Sequence, residues 1–192
     1  MFLAESSRTV WSDNFRWGFS AYINEDYKTA FHKFESLANN GNVRAQFYLG
    51  SMYETGNGIK KDLNAALHWY GRSAEQGNVD ALWNLGLMYA EGTGVKKNYN
   101  IALKWFGLAA KQGDFESMYN MGWIYQNPET PSFNNIQAYK WYHIAASLGF
   151  KRAITSRNLL AKEMSTAEIE KAQRLALQCA RNKFQSCEIN RQ

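Results

Sequence analysis

Histidines, cysteines, carboxylate pairs and glycine-rich turns are the residues of this 192-residue chain that could hold a metal, cradle a phosphate or move a proton. None has the spacing such chemistry needs. The histidines are His32, His68 and His143, and no His or Cys pair stands at zinc-ligand separation. The 36 residues from His32 to His68 recur between Lys104 and Lys140, so these four read as one solvated helix position. Gly56-x-Gly58 and Gly92-x-Gly94 lack the strand that precedes a phosphate loop, and no Gly-x-Ser-x-Gly elbow occurs. Glu168 and Glu170 fall near a helix start, where carboxylates favour the dipole rather than acid catalysis. The expectation is no catalytic residue, no metal and no cofactor. Cys179 and Cys187 are close enough for a disulfide to close the loop between them, which would imply an oxidising compartment; two free thiols in the cytosol are the alternative.

Binding chemistry is better provided for. Aromatic residues make up 15% of the chain, with 7 Trp, 11 Tyr and 11 Phe, and must fill a repeating core, line a surface, or both. The hydrophobic fraction of 45% and charged fraction of 20% are globular values, and the apolar runs are too short to span a bilayer. The net charge of +5 is unevenly spread. Residues 151–192 hold nine Lys+Arg and four Asp+Glu, leaving 13 of each sign in residues 1–150, so the basic character belongs to the C-terminal part. At the start, Met1-Phe2-Leu3-Ala4 has no basic residue and too short an apolar stretch for a secretory leader, so the chain either stays inside or has lost its signal.

Three segments superimpose at a spacing of 36 residues without a gap. Ala45, Leu49, Gly50 and Tyr53 become Ala81, Leu85, Gly86 and Tyr89, then Ser117, Met121, Gly122 and Tyr125. Ala66, Trp69, Ala74 and Gly77 become Ala102, Trp105, Ala110 and Gly113, then Ala138, Trp141, Ala146 and Gly149. Each unit reads as two helices. Asn42, Asn78 and Asp114 cap the first and Asp62, Asn98 and Asn134 the second; Gly77, Gly113 and Gly149 end the second in a left-handed conformation. The Gly after the Leu is expected to let a neighbouring backbone come close, and the Trp column (Trp69, Trp105, Trp141) to form a repeated core. Ile59 and Val95 plug the interhelical loop; in the third unit Asn127-Pro128-Glu129-Thr130-Pro131 keeps the loop length and stiffens it. Trp17-Gly18, Ala30 and Phe34 mark a shorter-looped pair upstream. Downstream, Ala153 opens another first helix, and Ser165 to Glu168 is a capping box starting a last helix to about residue 183.

These motifs, Ala-x-x-x-Leu-Gly-x-x-Tyr, Gly-x-Gly-Val/Ile, Ala-x-x-Trp and Ala-x-x-Gly on a 36-residue period, resemble the Sel-1-like repeat family, kin of tetratricopeptide repeats, over residues 11–183. The resemblance implies an all-α fold, a right-handed α/α superhelix of about five antiparallel helix pairs. Its divisions are a flexible N-terminus (1–10), an N-terminal pair (11–41), three repeats (42–77, 78–113, 114–149) and capping helices with a tail (150–192). The closing segment from Met164 to Ile169, with Cys179 and Cys187, also resembles that of bacterial, often exported members, which implies a periplasmic or secreted site. A cysteine-rich branch of the family is associated with penicillin binding and β-lactam hydrolysis, but its cysteine pairs within each repeat are absent here, so that activity does not carry over.

In a solenoid the first helices line the inner face. Opposite the stripe centred on Leu49, at 100° per residue, stand Arg44, Phe47, Tyr48 and Ser51, then Asp80, Trp83, Asn84 and Leu87, then Glu116, Tyr119, Asn120 and Trp123. Phe47, Trp83 and Tyr119 would ladder along a groove, with Phe15, Arg16 and Phe19 extending it. Aromatic faces grip apolar side chains and Asn amides pair with a peptide backbone, so the groove is expected to hold a protein or peptide. The bland alternative is that Phe47 and Tyr119 merely lean on the second helix. Trp123, whose column holds Ser51 and Leu87, is not required by the repeat. A glycan or peptidoglycan that stacks on Trp83, Tyr119 and Trp123 is the second reading, and an enzyme acting on cell-wall or β-lactam substrates is a third, by analogy with the family alone. Nucleic acid is not expected, since Lys60-Lys61 and Lys96-Lys97 fall on the loop edge, away from the aromatic ladder.

Overall fold

The computed structural model describes residues 14–185 and Cys187; the flexible N-terminus expected over 1–10, and residues 188–192 of the tail, lie outside the described residues. Among the described residues there are ten helices and no strand. Residues 14–23 form α1. It is followed by α2 (Tyr27–Asn39), α3 (Val43–Thr55), α4 (Leu63–Glu75), α5 (Val79–Glu91) and α6 (Tyr99–Ala110). Then come α7 (Phe115–Gln126), α8 (Asn135–Ser147), α9 (Lys151–Leu160) and α10 (Thr166–Arg181). The chain divides into two compact units, Met1–Leu85 and Gly86–Gln192, and the division falls within α5.

The caps follow the sequence. Asn42, Asn78 and Asp114 accept from the backbone N–H three residues on at 2.9, 2.8 and 2.7 Å, and Asn98 and Asn134 do the same at 3.1 and 3.0 Å. Asp62 accepts from Asn64 and Ala65, and Ser165 and Glu168 close a reciprocal capping box on α10. Each such cap offsets an unpaired first-turn N–H and is worth about 1 kcal/mol. Gly77, Gly113 and Gly149 adopt φ of 84°, 90° and 94°, the left-handed region that turns the chain out of each second helix without a Cβ clash.

The first unit is built on the α3–α4 and α2–α3 contacts, around a core of Phe34, Leu37, Ala45, Leu49 and Met52. Its one buried amide is satisfied: Gln46 donates to the Ala38 carbonyl at 3.1 Å and accepts from Gln76 at 2.8 Å. Ser73 ties the pair shut by donating to the Val43 carbonyl at 2.8 Å. In the second unit α7 packs on α8 and α6, and α8 also carries α9 and α10.

The glycine of each Leu-Gly motif makes room for a ring rather than for a backbone. A Cβ on Gly50 would stand 2.8 Å from the Tyr70 ring, one on Gly122 2.6 Å from Tyr142, one on Gly18 2.9 Å from the Lys33 Cβ and 3.1 Å from the Phe34 ring, and one on Gly86 would overlap Phe106. All four rings are fully buried. Burial of each removes apolar area worth about 2–3 kcal/mol, and only a missing side chain lets the helices close over it. The ring's polar end is matched too. Tyr70 donates to Glu54 at 2.7 Å and Tyr142 to Gln126 at 2.9 Å, whereas the middle repeat pairs Phe106, which has no hydroxyl, with Ala90, which has no acceptor.

Two further expectations are corrected here, and the third loop shows a difference that the repeat columns do not encode. Lys140 is not solvated like His32, His68 and Lys104: it is 2% exposed, its ammonium lies over the Trp141 ring at 4.3 Å, and α8 is covered by α9 and α10 as well as by α7. The Trp column is uniform in sequence but not in burial, since Trp141 is fully buried while Trp69 and Trp105 are partly exposed. In the third loop the plug moves one residue. Pro131 occupies the Ile59 and Val95 column but is exposed, and Thr130 turns inward instead, donating to the carbonyls of Ile124 and Asn127 at 3.0 and 2.9 Å.

Candidate functional site

In the first unit the expected groove residues are only partly presented. Phe47 is half-buried, leaning on Tyr70 of α4 at 5.8 Å and edge-on to Tyr48 at 5.3 Å. Tyr48 stacks on Phe34 at 5.1 Å and touches Phe15, Phe19 and Tyr22, so it completes an aromatic cluster between α1, α2 and α3. Burial in that cluster raises its hydroxyl pKa. Phe15, expected to extend the groove, is 8% exposed and belongs to the same cluster; Arg16 is exposed and Phe19 half-buried. Trp83 and Asn84 are half-buried, and the Trp83 indole N–H is enclosed without an acceptor.

In the second unit Leu87, Tyr119 and Asn120 are half-buried and Trp123 is 47% exposed. Tyr119 leans on Tyr142 of α8 at 5.4 Å, as Phe47 does on Tyr70, but it also meets Phe150 edge-on at 5.3 Å and lies beneath the Arg152 guanidinium at the same distance. Trp123 stands one turn further along α7, where its indole is 6.2 Å from the Tyr99 ring. Lys97 reaches over Tyr99, which opens α6 two residues later and is not one of the ladder rings, at 5.8 Å. Phe115, Phe150 and Tyr99 were not singled out by the repeat pattern. Phe150 was nonetheless marked: it occupies the column of the capping residues Asn42, Asn78 and Asp114.

Among the described residues no group of three His, Cys, Asp or Glu side chains converges on a metal-sized site, and no helix is long and apolar enough to cross a membrane. Burial raises the pKa of the Tyr70 and Tyr142 hydroxyls, and that of Tyr125 to about 12, which keeps all three neutral within the core. The Cys179 and Cys187 sulfurs are within bonding distance, their Cα atoms 4.8 Å apart. Beside them Gln185 donates to the Lys111 carbonyl at 3.1 Å, past the end of α6.

Capped antiparallel helix pairs repeating every 36 residues, with aromatic side chains on the faces of their first helices, define an α-helical repeat protein. The chain belongs to the Sel1 repeat family, whose sequence profile matches residues 43–78, 79–114 and 115–150. Proteins of this family are typically non-catalytic protein-interaction scaffolds. Among solved structures, the chain is similar to a Sel1 repeat protein from Oxalobacter formigenes, with 34% identity and a TM-score of 0.67 over 77% of this chain and 59% of that one. A protective antigen of uropathogenic Escherichia coli with an SLR fold shares the architecture at 23% identity and a TM-score of 0.54, over 92% of this chain and 47% of that one. The chain thus spans between about half and three fifths of the length of these two proteins. Among curated proteins no sequence matches.

Proposed function

We propose that the chain is a non-catalytic scaffold that holds a partner polypeptide against the exposed faces of its first helices, outside the cytoplasm of a bacterium. The observation that carries this reading is Trp123. It is 47% exposed at a column that other repeats fill with Ser51 and Leu87, and its ring is steadied by Tyr99 without being covered by it. An indole contributes neither to the core nor to a cap there, and large rigid aromatics are the side chains that anchor protein interfaces. Asn120, half-buried on the same helix, supplies an amide of the kind that pairs with an extended backbone. Export is supported by the cysteine geometry: a Cα separation of 4.8 Å suits a disulfide, and disulfides persist in oxidising compartments.

The test is recovery of a partner from a bacterial envelope extract on the immobilised protein. A specific polypeptide retained by the wild type and lost with Trp83→Ala and Trp123→Ala is the expected result. Unchanged retention by both variants overturns the groove, and tryptophan quenching by purified peptidoglycan fragments would instead favour the glycan reading. For the compartment, the non-reduced protein recovered from its native host is expected to be about 2 Da lighter than the reduced form, the two hydrogens lost on forming one disulfide; two alkylatable thiols refute export.

A further inference from the structure

Phe150 breaks a rule that the other repeats keep. It stands at the N-cap of α9, where the preceding units place Asn42, Asn78 and Asp114, and it makes no side-chain cap bond. Nor is it fully buried in exchange. Phe150 is half-buried, and its ring contacts are Phe115, itself 39% exposed, at 5.2 Å and Tyr119 at 5.3 Å. A capping residue has thus been replaced by a ring that extends a surface aromatic cluster. Local rules are broken in this way chiefly where function outweighs stability. Beside the cluster the next two residues are Lys151 and Arg152, both exposed. Arg152 lies over Tyr119, and among the described residues neither cation is in an ion pair. Glu116, exposed on the first turn of α7, is an acidic group on the same face, and among the described residues it is not in an ion pair either. In sequence, the segment that Lys151 opens is net basic, with nine Lys+Arg against four Asp+Glu over residues 151–192.

We infer that Phe115, Tyr119, Phe150 and Arg152 form a docking subsite for an acidic peptide segment carrying an apolar anchor side chain, whose anchor rests on the rings and whose carboxylates face Lys151 and Arg152. The inference rests on the scaffold reading and names the chemistry of its partner. It is carried by charge complementarity and by a cap given up for a half-buried ring that packs on the exposed Phe115.

A random dodecapeptide phage library selected on the intact protein tests it. The expected peptides combine Asp or Glu with Trp, Phe or Leu, and as free fluorescein-labelled peptides bind about tenfold more weakly to Phe150→Asn and to Arg152→Glu. Their affinity also falls as salt rises from about 20 to 300 mM. Phe150→Asn restores the cap of the other repeats, so it is expected to melt no lower than the wild type. Phe115→Ser, at a more exposed ring, gives a second reading of the same contact. Neutral or basic peptides, or acidic ones indifferent to all three substitutions, overturn the subsite. So does a Phe150→Asn protein that melts lower yet still binds, because Phe150 then serves packing alone. Peptides that depend on Trp123 but not on Phe150 overturn the subsite and leave the scaffold standing; a library that yields no binder counts against both.

Discussion

A single methyl group separates the helical glycines of this chain into two kinds. Gly50 and Gly122 face rings that a Cβ would meet at 2.8 and 2.6 Å, whereas Gly71, within α4, has nothing within 4 Å. Alanine gains helix propensity at every such site, but overpacking against a buried ring costs about 1–3 kcal/mol and outweighs it. Gly122→Ala is therefore expected to destabilise by about 1–2 kcal/mol and Gly71→Ala to stabilise by about 0.5–1 kcal/mol, read as opposite shifts of the urea midpoint. The Gly column was plain in the sequence. Its partner was not, although Tyr70, Phe106 and Tyr142 recur on the same period, because a periodic pattern tells which residues are equivalent and not which of them touch.

At the scale of the helix, α8 is the exception. It is enclosed by α7, α9 and α10, and it buries Gln137, Lys140 and Trp141 where the corresponding helices of earlier repeats keep a solvated side. His143 lies on this helix with Nδ1 enclosed and its ring stacked on Tyr139 at 5.9 Å. Burial first, and then the nearby charge of Arg157, hold its pKa below the usual 6.5. The unfolded chain therefore takes up the proton at higher pH than the folded one does. The stability from neutral His143 is present above pH 6.5 and is lost as pH falls through the folded value. Melting temperature is expected to drop between pH 7.5 and 5, and to drop less in His143→Gln. An equal drop in both proteins would remove His143 from the account.

For the whole molecule, two compact units imply that damage stays local. In a repeat protein each helix pair is held by its neighbours in sequence, so stability is close to a sum of local contributions. Gly50→Ala is expected to speed amide exchange in α3 and α4 while α7, α8 and α10 keep their protection, and Gly122→Ala to do the reverse. Uniform loss of protection in both variants would show a single cooperative body instead.

Sequence alone determined the helix pairs, their caps, the left-handed glycines and the family, because each rests on short-range geometry repeated every 36 residues, and repetition makes a weak local signal certain. Tertiary structure decided what the repetition does not encode. Tyr48 and Phe15 turn inward because α1 and α2 supply rings that no later repeat has. Lys140 is buried because the helices that follow the third repeat fold onto α8. Phe150 meets Phe115 and Tyr119 across 35 and 31 residues of chain, a contact that exists only once α7 and the start of α9 lie side by side. Where the period ends, a residue's neighbours come from elements unlike those that flank its equivalents, and only the packed chain shows which side chains are left facing outward.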